Sequence, residues 1–138
     1  MFHVLHGNFP MPSMKRQFGD IGERIAEKYL IDKGYTILER NFLRRWGEID
    51  LVTQKDNTIV FFEIKTRDKG HVSYFPAEAS VNRTKRHKLL KVCNTYLQEK
   101  KYTINQEWQV DVLTIAIDKI TKRAKIKHIE NVVWEQQY

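Results

Sequence analysis

The chain has only one cysteine, Cys93, among its 138 residues. No internal disulfide can form, and a thiolate metal centre would be short of ligands. Lying among Leu89, Val92 and Tyr96, this thiol reads as a buried core group. Long apolar runs are missing as well. The longest, Ile59 to Phe62, is far below the ~20 residues of a membrane-spanning helix, so no membrane partner is expected. Met1 to Met14 has no basic stretch followed by an apolar one. It does not read as an export signal, and a cytoplasmic location is expected. Nothing rich in glycine, serine or proline divides the chain, and no segment repeats. One domain over 15–138 is expected, preceded by a flexible arm at 1–14; this length can bury a single core unaided. The chain also has no Walker loop, no glycine-rich dinucleotide fingerprint and no His-Glu-x-x-His helix.

Acidic residues are too few to balance the basic ones: 17 against 24, a net charge of +7. Such a balance favours anionic partners, with nucleic acid first. Apolar residues at helical spacing (Phe18, Ile21, Ile25, Ala26, Tyr29, Leu30) predict a helix over 15–33, stopped at Gly34. Runs rich in Ile, Leu, Val, Phe and Thr predict strands over 35–43, 47–54 and 58–66. A loop follows at 67–79. Helical period returns over 80–99, with Ser80 a candidate cap, and strands follow at 107–117 and 124–134. This order predicts an α/β fold with a central mixed five-stranded sheet flanked by helices.

The informative stretch is the second hairpin. Asp56-Asn57 suits a two-residue turn, because both residues tolerate the left-handed region. Lys55 then faces Thr58, Asp50 faces Glu63, and Glu48 faces Lys65. Directly opposed residues share a face. Ile49, Leu51, Val60, Phe62 and Ile64 should lie on one side. Glu48, Asp50, Glu63 and Lys65 should lie on the other, with Val52 and Phe61. Two carboxylates directly opposed repel, and a hard divalent ion such as Mg²⁺ or Mn²⁺ would remove that cost. Lys65 would stand close enough to orient a water or neutralise a phosphate. From the residues alone, an ordinary half-exposed strand with loosely paired charges stays open.

The second predicted helix carries Arg83, Lys85, Arg86, His87, Lys88 and Lys91, with no acid between Ala79 and Gln98. Arg40, Arg44 and Arg45 form a second basic group beside Trp46, and Arg67 follows the hairpin. Phosphates are the natural counterions for these groups. A solvated basic face is the alternative reading for the helix, and simple packing is the alternative for Trp46.

From Gly19 onward the chain resembles the YraN-like family of bacterial proteins, themselves similar to archaeal Holliday-junction resolvases of the restriction-endonuclease-like superfamily. The match is carried by Gly19-x-x-Gly22-Glu23, Ala26, Tyr29-Leu30, Gly34-Tyr35, Arg40-Asn41, Gly47-Glu48-Ile49-Asp50-Leu51 and Glu63-x-Lys65-Thr66-Arg67. Lys85, Tyr96-Leu97 and Asp111-Val112 fit as well. The resemblance implies a restriction-endonuclease-like fold and a metal-dependent endonuclease acting on DNA, branched or damaged DNA included. It implies Glu23, Asp50, Glu63 and Lys65 as catalytic residues. The metal would be held by Asp50, Glu63 and the Ile64 carbonyl. A homodimer would suit a two-stranded cut. The competing expectation is a non-catalytic nucleic-acid-binding module with the same fold.

Overall fold

The computed structural model describes residues 2–4, 14–69 and 83–132, with side chains from residue 19 onward within those ranges. Chain order is β1 (Phe2–Val4), α1 (Met14–Asp32), β2 (Thr36–Arg44), β3 (Gly47–Lys55), β4 (Thr58–Asp68), α2 (Arg83–Glu99), β5 (Trp108–Asp118) and β6 (Arg123–Ile129). The strands form one mixed sheet ordered β1-β6-β5-β4-β3-β2. Only β4 and β5 run parallel. Their connection must cross from one end of the sheet to the other, as parallel pairing requires, and α2 lies within it. The α/β arrangement expected from the sequence, a central mixed sheet flanked by helices, is the one observed.

Each helix covers one face of the sheet. Ile25, Ala26 and Leu30 of α1 pack on Leu51, Val60, Phe62, Leu113 and Ile115. On the other face, Leu89, Val92, Cys93 and Tyr96 of α2 pack on Val52, Ile59, Phe61, Val110 and Val112. Residues 110–117 of β5 are therefore buried without interruption, the pattern of a strand covered on both sides. Cys93 is fully buried among these groups, as expected. Both helices close in a Schellman motif. At the end of α1, Gly34 has φ +93°, and the Tyr35 and Gly34 N–H groups donate to Leu30 and Ile31. Lys101 takes the glycine position after α2, with φ +60°.

Three details differ from the sequence reading. A sixth strand, β1, lies on the edge beside β6, so the arm at 1–14 includes paired residues. Strand β4 runs on to Asp68 because its parallel ladder continues as far as Ile117 of β5. Strand β6 stops at Ile129, and the expected strand's last residues, 133–134, lie outside the described residues. Ser80, the candidate cap, also lies outside them.

Helix α1 crosses β4 at Gly22. A Cβ there would overlap Thr66 Oγ1 and come within 2.9 Å of Thr66 Cβ. Only glycine allows this approach, which sets the height of α1 over the hairpin. Gly22→Ala should cost about 1–3 kcal/mol, as for overpacking elsewhere, measured by urea denaturation. Part of the loss should return in a Thr66→Ala background.

Candidate active site

The β3–β4 hairpin has the register expected from its sequence. Lys55 faces Thr58, Asp56 turns with φ +54°, and pairing continues to Leu51 opposite Phe62. The ladder ends there. Where Asp50 should sit opposite Glu63, its Oδ2 accepts the Ile64 N–H at 2.7 Å. Across β2, Asn41 lies between the pairs Arg40–Leu51 and Phe42–Ile49 and has φ +51°. The alternation of β3 breaks at this level. Leu51 packs under α1, whereas Ile49 packs under α2. This corrects the expectation that Ile49 and Leu51 share a face. The two strands part at Asp50, and its carboxylate replaces the missing ladder acceptor.

A strand residue presents its N–H and C=O to the same edge. The Ile64 carbonyl therefore faces the gap that Asp50 closes. Glu63, next to it, lies on the α2 face with Lys65. It lines a cavity of about 170 Å³ with Trp46, Glu48, Lys85 and Lys88. Glu63 Oε1 is bridged to Lys85 Nζ at 2.7 Å. Its Oε2 is buried and lacks a hydrogen-bond partner.

Acids gather here from three elements. Burial first, and then Glu48, Glu63 and Glu23, push the Asp50 carboxyl up to about 6 against the pull of the Ile64 N–H. Glu23, on α1, is raised by burial and then by Asp20, Glu48 and Glu27. Lys65 is lowered by burial and by Lys85 and Arg67, while Glu63 opposes the shift. The structure thus brings Glu23, Asp50, Glu63 and Lys65 into one electrostatic neighbourhood. Glu48, left without a role by the sequence reading, joins them.

The basic residues divide. Arg40 bonds Glu27 of α1 through Nε and Nη2. Arg44 forms a two-pronged pair with Glu99 and lies 4.0 Å from the centre of the Phe42 ring. Both tie β2 to the helices, and Lys85 is committed to Glu63. Arg45, Arg83 and Lys88 are exposed, while Arg67 and Arg86 are half-buried. Trp46 packs, donating to Thr95 Oγ1 with Lys91 over its ring.

A second cluster escaped the sequence reading. Asp111, His128 and Glu130 could hold a metal ion, since one ligand atom from each lies within 4.8 Å of the others. No other group of three meets that spacing among the described residues. Asp111 is fully buried and accepts from Gln109, from the Asn131 N–H and from His128 Nε2, the last at 2.7 Å. Its two oxygens already serve three donors, which ties β5 to the turn after β6. The available signal was His128-x-Glu130, a same-face pair on a predicted strand.

The Asp50 shift makes stability depend on pH. A carboxyl raised from 3.8 to about 6 on folding binds its proton more tightly in the folded state. Its contribution is complete below about pH 4 and is lost as pH rises through about 6. That loss amounts to about 3 kcal/mol at most. Urea denaturation in chelator should show wild-type stability falling between pH 4 and 7. Asp50→Asn should flatten that fall.

The pattern of the family described as "Uncharacterised protein family UPF0102" matches residues 22–115. A UPF0102 protein of Syntrophomonas wolfei is 41% identical over 118 residues, 86% of this chain and 98% of its own. One of Alkaliphilus oremlandii is 39% identical over the same shares, and one of Campylobacter fetus is 35% identical over 83% and 92%. Among solved structures, Pyrococcus furiosus SfsA in complex with Ca²⁺ is similar at TM-score 0.39 and 13% identity. That similarity covers 84% of this chain and 63% of SfsA. The chain belongs to the UPF0102 (YraN-like) family.

Proposed function

We propose that this protein is a Mg²⁺- or Mn²⁺-dependent endonuclease that hydrolyses phosphodiester bonds in DNA, branched or damaged DNA included. The observation that carries this reading is the buried, unpartnered Oε2 of Glu63 beside Asp50, where β3 and β4 part. Acids that push one another's carboxyls up, as Glu63 does that of Asp50, repel unless a cation or a proton compensates them. The donor set fits a hard cation: Asp50, Glu63 and the Ile64 carbonyl offer oxygen alone, as such ions require. Once bound, Mg²⁺ would supply Lewis acidity toward a phosphoryl oxygen and make water more acidic.

The chain's own residues supply the rest. Asp50 holds the Ile64 peptide in place and so orients the carbonyl. Lys65, lowered chiefly by burial, is suited to take a proton from an attacking water or to neutralise charge on the phosphate. Glu23 leans in from α1, whose height Gly22 sets. Arg45, Arg83, Lys88, Arg86 and Arg67 would contact the DNA backbone. A non-catalytic nucleic-acid-binding module is the second reading, supported by the Lys85–Glu63 bridge, which meets part of the charge demand without a metal.

A cleavage screen on linear, nicked, flapped and four-way DNA with Mg²⁺ or Mn²⁺ separates the two readings. The wild type should cut at least one substrate. Asp50→Ala, Glu63→Ala and Lys65→Ala should each lose about a hundredfold or more. Salt-sensitive binding with no cleavage of any substrate would favour the second reading.

A further inference from the structure

Lys85 occupies an unusual position for a residue on a basic helix. Its Nζ sits 2.7 Å from Glu63 Oε1, at the mouth of the cavity that Lys88 and Trp46 also line. Its charge also helps to lower the Lys65 amine. The lysine side chain is 47% exposed and Glu63 only 20%, so the long flexible partner is the more solvent-accessible of the two. A metal ion on Glu63 would face an ammonium already holding the same carboxylate. One carboxylate does not favour two cations so close together.

We propose that Lys85 is an exchangeable counterion: it holds Glu63 before a metal binds, and turns to a substrate phosphate when the metal takes that carboxylate. The inference rests on the nuclease reading and adds a positioning residue outside Asp50, Glu63 and Lys65. Metal and DNA then share one lysine. Binding of either releases Lys85 from the arrangement that opposes the other, so each strengthens the other by the same factor. The lysine that neutralises Glu63 before metal binds thus becomes a phosphate contact afterwards.

The test is a calorimetric Mn²⁺ titration of the full chain, as wild type, Lys85→Met, Lys85→Arg and Glu63→Ala. DNA affinity is measured in parallel with and without Ca²⁺, a hard oxygen-seeking ion. Lys85→Met should bind Mn²⁺ about two- to fivefold more tightly than wild type, the strength of a partly exposed ion pair. The Ca²⁺-dependent gain in DNA affinity should shrink in the same variant. Lys85→Arg keeps the charge and should follow the wild type in both assays. Equal or weaker Mn²⁺ binding by Lys85→Met overturns the counterion role. If Glu63→Ala abolishes Mn²⁺ binding in that same experiment, the nuclease reading survives alone. If wild type and Lys85→Met both fail to bind Mn²⁺, the nuclease reading falls and takes this inference with it.

Discussion

The short hydrogen bond from the Ile64 amide to the Asp50 carboxylate organises the centre of this molecule. It sits where two strands stop pairing, and an exposed ladder would otherwise leave a buried amide without an acceptor. A carboxylate fills that vacancy at the cost of desolvating its charge. The amide pulls the Asp50 carboxyl down, yet burial and three neighbouring acids outweigh it. A protein gains little from such an arrangement unless another group uses the charge. Stability is lost at one position, and a concentrated negative potential is gained there.

The surrounding elements keep that position open. Asn41 takes up the kink in β2 with its left-handed backbone, a conformation that asparagine tolerates better than most residues. Gly22 brings α1 down onto Thr66, which lets Glu23 join the acids. From the other face, α2 delivers Lys85 to Glu63. Both helices thus serve twice, covering the sheet with apolar residues and extending charged ones into the same gap. The Arg40–Glu27 and Arg44–Glu99 pairs fasten β2 to these helices. As exposed pairs they contribute modestly to stability and act chiefly in position.

The buried Asp111–His128 pair marks a second constraint, on the α1 face of β5 and β6. Its donors arrive from Gln109, from the Asn131 backbone and from the ring, so the carboxylate is satisfied within the protein. Asp50 is the opposite case, with one amide for a partner and acids for neighbours. Asp50 on β3 and Asp111 on β5, with β4 between them, thus have different environments. One is fully bonded, and the other is held in tension.

Much was legible in the residues themselves. Helical spacing from Ile21 to Leu30, and the Asp56-Asn57 turn with its register, depend on local periodicity and turn chemistry, which the chain carries wherever it folds. The grouping of Asp50, Glu63 and Lys65 followed from that register, and Glu23 entered through the resemblance. Three features depended on distant neighbours. The break in β3 that sends Ile49 and Leu51 to opposite faces falls opposite the left-handed Asn41 of β2. The pairing of Lys85 with Glu63 depends on where α2 docks, and so does the diversion of Arg40 and Arg44 from any phosphate to Glu27 and Glu99. Charge in a sequence states only what a residue can attract. Which partner it meets is decided when elements far apart in the chain pack together.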